Sequence, residues 1–577
     1  MAERTLKTLL VIGLFTIGST TDEKDNIVVD TKLGPIKGTV WKYEQTGENL
    51  YEFRGIPYAK PTTGAKRFTK PEPVDPWKNI LDASAFGASC PQYVPEVMAE
   101  LKPQKMAEDC LFLNIFVPRK LKPGKNLSVM FWIHGGGLMN GNGDAYDGSL
   151  LSMQGDVILV TINYRLGIFG FLALDHPAAM GNYGIWDQKL ALEWVHDNIE
   201  SFGGNPDSVT IFGESAGGWS VSFQSLIPSN KGLFHRVIAQ SGVVTRAGVL
   251  SKQMIRDAFK DLSEKVSCPV DDMYKFTDCL RDTSVEKLLN ETNFFASMSN
   301  EVAKFNSEYQ PAVDGELFKE NPLFLLEDSS SEVSQFFRSL DFMAGTTSNE
   351  GNLVPMITHP GLQERYEFNV SEGIPAKFVC QGMLNSYVDR NFNTDKEQLK
   401  ESLCQFYTTD HSEDAQSLKV THCYADLSFV FPTLKMLENH AAGTGTTYQY
   451  QFSRESSKPM HIGGPPPKWF RGAGHAEELK YMFDISRHFK HLDVGLTDGE
   501  KTLSQNIVQY WTSFAKTGRP DAGEESVQWK EFDLQDRSYI DLDVPTTMKK
   551  SLKPDMFKFL NEIFPPLAYE KHERDEL

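Results

Sequence analysis

Residues Gly213-Glu214-Ser215-Ala216-Gly217 fit the pattern G-x-S-x-G, and Val209-Thr210-Ile211-Phe212 lead into them. A strand entering such a pentapeptide and a helix leaving it would hold Ser215 on a sharp turn, its hydroxyl presented for nucleophilic attack. The glycines at 213 and 217 remove the Cβ atoms that would crowd that turn. A second motif, His134-Gly135-Gly136-Gly137, ends another apolar run. Glycines there let peptide N–H groups converge on an oxygen that gains negative charge, so Gly136, Gly137 and the amide of Ala216 are the expected oxyanion donors. A serine nucleophile also needs a base and an acid. Of thirteen histidines, His475 lies in a small-residue loop, Gly472-Ala473-Gly474-His475-Ala476, where flanking glycine lets it approach the serine. The acid is expected between serine and histidine in the chain. Glu350, in Thr346-Thr347-Ser348-Asn349-Glu350-Gly351, follows a short strand pattern and is placed to orient His475. Spacing alone leaves other acids open, Asp341 among them.

The elements that must position these groups read as alternating strands and helices. Residues 26–43 alternate around Gly34-Pro35, as a hairpin does. Short, nearly continuous apolar runs follow at Ser128–His134, Val157–Ile162 and Val209–Phe212, with a weaker one at Asp341–Ala344 and an alternating one at Thr447–Phe452. Runs apolar on both faces suit a sheet covered by helices on each side. Gln188–Ile199 and Leu503–Phe514 carry helical apolar stripes, the second stopping at Gly518 with Pro520 behind it. Residues 250–335 read as a helical, irregular insertion over the sheet. The fold class is therefore α/β, with a large mostly parallel central sheet, an N-terminal hairpin and helical insertions. Residues 21–570 are expected to form one domain.

The composition is that of a globular chain of 577 residues, 40% hydrophobic and 23% charged. Its formal charge is −19, and no Lys/Arg-rich run of five or more residues occurs, which excludes nucleic acid as an expected partner. Arg4 and Lys7 precede the apolar stretch Leu9–Ile17, so residues 1–20 read as a secretory signal peptide, too short to span a bilayer. No other run approaches membrane length. The tail 571–577 ends in Arg574-Asp575-Glu576-Leu577, a retrieval signal of the KDEL type, which implies a retrieval receptor and the endoplasmic reticulum lumen, with secretion as the alternative. Seven cysteines fit an oxidising compartment. Cys90 with Cys110 and Cys268 with Cys279 are plausible short loops; Cys380, Cys404 and Cys423 cannot all pair internally. Asn126, Asn290 and Asn369 head glycosylation sequons, Asn126 beside a predicted strand. Metal and cofactor motifs are missing: there is no HExxH and no CxxC, and Gly135–Gly137 is not a phosphate loop.

Taken together, Phe53-Arg54-Gly55-Ile56-Pro57-Tyr58-Ala59, Glu108-Asp109-Cys110-Leu111, His134–Gly137, Gly181-Asn182 with Asp187-Gln188, Phe202-Gly203-Gly204-Asn205-Pro206 and the GESAGG run make the chain resemble the type-B carboxylesterases. The resemblance implies the α/β-hydrolase fold, a Ser215–His475–Glu350 triad and small-molecule ester substrates. It also implies the Cys90–Cys110 and Cys268–Cys279 bridges, with Glu214 and Ser241 in supporting positions. Cholinesterases of this family carry a tryptophan inside the first disulfide loop that stacks on quaternary ammonium; residues 90–110 contain none, which argues against acetylcholine. Glu214 stands where juvenile-hormone esterases have glutamine, and Ser215 is present where adhesion members lose it. A general carboxylesterase is the expectation. A lipase, an esterase for one lipid-like signal, and a silent binding protein of the same fold are the alternatives. Trp132, Phe294 and Phe295 are candidates to line a substrate gorge, although an aromatic pair such as 294–295 is more commonly core or lid.

Overall fold

The computed structural model describes residues 26–43, 45–94, 102–118, 126–245, 248–293, 308–358, 360–392, 395–460, 466–484 and 495–564. The predicted signal peptide, the RDEL tail, Phe294 and Phe295 lie outside them. Thirteen strands form one sheet: β1 (Asn26–Thr31), β2 (Gly34–Lys42), β3 (Asn49–Pro57), β4 (Leu81–Asp82), β5 (Phe112–Pro118), β6 (Leu127–Ile133), β7 (Ile158–Ile162), β8 (Gly204–Glu214), β9 (Arg236–Gln240), β10 (Asp341–Thr347), β11 (Thr447–Phe452), β12 (Ser538–Leu542) and β13 (Thr547–Lys550). Their order is β1-β2-β3-β5-β7-β6-β8-β9-β10-β11-β12-β13, with β4 beside β2. From β7 through β12 every pair is parallel; the two margins are antiparallel, apart from the short β4, which runs parallel to β2.

Strand β6 explains why the centre is covered on both sides. Val129, Phe131 and Ile133 enter one core and Met130 and Trp132 the other, so both faces of its pleat are apolar. The first core takes up the helices Tyr183–Asn198 and Ala216–Ser225. The second takes up Asp498–Thr517, which starts in a capping box of Thr497 with Glu500 and ends at Gly518 in the left-handed region. Tyr183–Asn198 is buried nearly all round rather than along one stripe, because Arg165 forms a buried ion pair with Asp187 and Asn230 accepts from Lys189.

The predicted hairpin forms, but its turn is Lys32-Leu33; Gly34 and Pro35 already pair with Thr31 and Asp30. In 250–335 the helices Lys252–Val266, Met273–Asp282 and Val285–Glu291 pack on the first core. A third core, absent from the sequence reading, lies in the helical block 353–440 together with the helix Pro554–Ile563. Disulfides join Cys90–Cys110, Cys268–Cys279 and Cys380–Cys404, leaving Cys423 buried and unpaired. Among the described residues, no helix is long and apolar enough to cross a membrane.

Candidate active site

The parallel strands β6, β8 and β10 all end on one edge of the sheet, and each delivers a piece of the site. At the end of β8, Ser215 has φ 58° and ψ −123°, a conformation that costs a non-glycine residue about 1–3 kcal/mol. The surroundings enforce it. Ser215 N–H donates to the Gln240 carbonyl at 2.9 Å, and the Ser215 carbonyl accepts from Trp219 in the first turn of the next helix. A Cβ on Gly217 would lie 2.0 Å from the Ile133 carbonyl oxygen, and one on Gly213 would lie 2.5 Å from the same atom. The turn therefore closes only with glycine on both sides. Ser215 is half-buried between the buried Glu214 and Ala216, so the strained residue is the one that reaches the open side.

At the end of β6, the turn His134–Gly137 lies against this elbow. A Cβ on Gly135 would sit 2.6 Å from the Glu214 carbonyl oxygen and 3.1 Å from Ser215 Cβ. Gly136 has φ +106°, and its Cβ would meet the Asn140 carbonyl oxygen at 2.1 Å. Among the described residues, the N–H groups of Gly136, Gly137 and Ala216 donate to no protein acceptor. That of Ala216 is left over as the first amide of its helix. His134 supports the turn rather than reacting. Its ring stacks on Tyr164 at 4.5 Å, its Nδ1 contacts the Gly135 carbonyl, and burial pushes it down to about 4.

At the end of β10, Glu350 is fully buried. Its Oε1 accepts from Ser241 Oγ and the Thr347 N–H, each at 2.6 Å, and its Oε2 faces His475 Nδ1 at 2.6 Å. Burial alone would raise this carboxyl, but His475 and the two donors outweigh burial and hold it below the usual range. Asp341, the other acid left open by spacing, is excluded by position. It starts β10, about 20 Å of strand away from the Glu350 end, and is occupied by Thr446 and Arg236.

The imidazole of His475 lies between carboxylates. Nε2 is 3.1 Å from Glu214 Oε1, although the two are out of line for a hydrogen bond and that oxygen takes none. Burial lowers the ring's affinity for a proton, and Glu214 and Glu350 overcome this and lift it to about 9. Glu214 is itself pushed up to about 8, by burial first and then by Glu478 and Glu350 against the pull of His475. The charge of each depends on the other, because a neutral Glu214 no longer attracts a proton to the imidazole, while Glu350 is held toward its carboxylate form. Ser215 Oγ makes no hydrogen bond to the ring among the described residues. The contact between Glu350 and the imidazole is thus formed without one from Ser215 Oγ to the ring.

Several supporting residues were not foreseen. Glu478, buried and lifted to about 7 by burial and then by Glu350, receives Gln240 Nε2 at 3.2 Å. Phe429 lies 4.9 Å from the His475 ring. It sits on Asp426–Val430, a π-helical stretch that no apolar period announces. The run Leu479–Phe483, which follows His475, is buried throughout, and Leu479, Tyr481, Met482 and Phe483 belong to the second core. Trp132 does not line a gorge. It packs within 5 Å of the Tyr146, Phe212 and Phe483 rings in that core, since strand alternation turns it away from Ile133's side. Asn126, Asn290 and Asn369 are all exposed.

Comparison with known proteins agrees with this geometry. Residues 25–560 match the carboxylesterase family. The chain is 33% identical to a pyrethroid hydrolase of Rattus norvegicus over 93% of its own length and 89% of that protein. It is also 33% identical to an acylcarnitine hydrolase of Mus musculus, over 94% and 91%, and to a bile salt-activated lipase of Bos taurus, over 93% and 88%. A glycine-closed serine elbow, a buried glutamate–histidine pair and a near full-length match meet in one place: this chain belongs to the carboxylesterase family.

Proposed function

We propose that Ser215, His475 and Glu350 are the nucleophile, base and acid of this carboxylic-ester hydrolase, and that Gly136, Gly137 and Ala216 supply its oxyanion hole. His475 Nε2 takes the Ser215 proton as Oγ attacks the ester carbonyl, and the three amides bind the oxyanion. Glu350, bonded to Nδ1, stabilises the imidazolium. The C–O bond to the alcohol then breaks, and Nε2 returns the proton to the leaving oxygen. Water, deprotonated by the same ring, cleaves the acyl-enzyme and releases the acid. Every step uses this chain's groups and water.

The observation that carries the reading is the 2.6 Å contact of His475 Nδ1 with a Glu350 carboxylate held by two further donors. It fixes which ring nitrogen is left to face the serine elbow. The substrates are proposed to be carboxylic esters of broad range, because relatives named for a pyrethroid, an acylcarnitine and a bile salt-activated lipase are about equally similar. The lipase relative keeps a preference for long acyl chains as the second reading. Lumenal residence is proposed on the three disulfides, which suit an oxidising compartment. A single domain over residues 21–570 is proposed because one sheet runs from β1 to β13.

The test is labelling by an organophosphate, mapped by mass spectrometry, beside turnover of short- and long-chain nitrophenyl esters. Adduct at Ser215, with label and turnover lost in Ser215→Ala, is expected. Turnover that survives Ser215→Ala refutes the assignment, and activation by a lipid interface with long chains preferred selects the lipase reading.

A further inference from the structure

We propose that Asn352 is a positioning residue for the reaction: it fixes the backbone of His475 to the turn that carries Glu350, and so sets the imidazole's place. The inference rests on His475 being the base. His475 N–H donates to Asn352 Oδ1 at 2.7 Å, and Asn352 is two residues beyond Glu350. Glu350 Oε2 in turn meets the His475 ring. Backbone and side chain of one residue are thus held by one three-residue turn, in a closed ring of contacts that leaves the imidazole little freedom to swing.

Neighbouring contacts lock the two segments together on the other side of Glu350. Ala473 N–H donates to Ser348 Oγ at 2.8 Å, and Asn349 N–H donates to the Ala473 carbonyl at 3.0 Å. Asn349 Nδ2 donates to the Arg471 carbonyl at 2.8 Å. The glycines of the histidine loop make this approach possible. A Cβ on Gly474 would lie 2.8 Å from Asn352 Nδ2, and one on Gly472, at φ +99°, would lie 2.9 Å from Asn349 Cβ. The glycines before His475 therefore serve the approach to the acid's turn, not the approach to the serine that their spacing suggests.

The experiment is steady-state hydrolysis of p-nitrophenyl acetate by the full-length chain and its variants, with melting temperature recorded for each. Asn352→Ala removes the acceptor. Its kcat is expected to fall about 10- to 100-fold with KM within about twofold, the effect of a base displaced by a fraction of an ångström. Asn352→Asp keeps the acceptor and is expected to recover kcat to within about threefold of the unaltered chain, its added charge moving the acid limb of the pH profile upward. A merely structural role would lower the melting temperature of both variants without this split. If Asn352→Ala does not fold, Ser348→Ala carries the test, with kcat expected to drop at least about threefold at constant KM. Normal kcat in the alanine variant, or no recovery with aspartate, overturns the inference alone. Turnover that survives Ser215→Ala overturns the assignment of the site, and the inference with it.

Discussion

Replacing Glu214 with glutamine removes the negative charge nearest the reacting nitrogen of His475 while keeping the side-chain shape. The carboxylate stabilises the imidazolium, which cannot act as a base. Without it the ring gives up its proton at lower pH, so the acid limb of kcat/KM moves down. The size follows from the 3.1 Å separation of Nε2 and Glu214 Oε1. Two full charges at that distance, in an effective dielectric of about 20, attract by roughly 5 kcal/mol, or about 4 pH units. That is a ceiling, because burial and Glu478 already raise Glu214 and favour its neutral form. A downward shift of about 1–3 units is therefore expected, the range seen for an opposite charge close to a titrating group. The assay is kcat/KM for p-nitrophenyl acetate from about pH 5 to 10, whose acid limb reports the free enzyme's base. An acid limb that stays in place, or moves up, would refute the idea that the Glu214 charge raises the His475 ring.

Two further outcomes test the scaffold. Gly136→Ala should drop kcat by about 10²–10³ with the fold retained, since the new Cβ at 2.1 Å from the Asn140 carbonyl oxygen forces the oxyanion turn open; circular dichroism beside kinetics checks it, and unchanged kcat contradicts the assigned donors. Joint replacement of Cys380 and Cys404 by serine should cost about 3–4 kcal/mol, from the chain entropy of a loop spanning 24 residues. Denaturant melts measure that loss, while labelling of Ser215 in the folded protein should be unaffected because the bridge lies in the third core, away from the elbow.

How much was legible in the sequence depended on how local the controlling forces are. The elbow at Ser215, the glycine turn at 135–137 and the helix stop at Gly518 were readable because steric exclusion acts within a few residues and leaves glycine as its mark. The strands at 128–134 and 157–162 were readable to within a residue because burial on both faces leaves nearly continuous apolar runs, and that at 447–452 because its aromatics alternate with polar residues. Strands β12 and β13 were not read: β12 is buried but Ser538 and Asp541 interrupt its apolar residues, and β13 is short and largely exposed. Spacing alone left Asp341 in contention with Glu350; the family resemblance chose Glu350, and the direction of β10 gives the physical reason.

The sequence by itself determined the chemical groups, their order along the chain and the kinks that glycine permits, because these follow from covalent structure and short-range sterics. The tertiary structure alone decided that Glu350 rather than Asp341 meets His475, that Glu214 and Glu478 lie buried beside that ring, and that Asn352 holds it. Except for Glu478, which is close to His475 in the chain, those contacts join residues more than a hundred positions apart. They exist only because parallel strands bring their ends to one edge, where the low dielectric of the interior makes each neighbouring charge count.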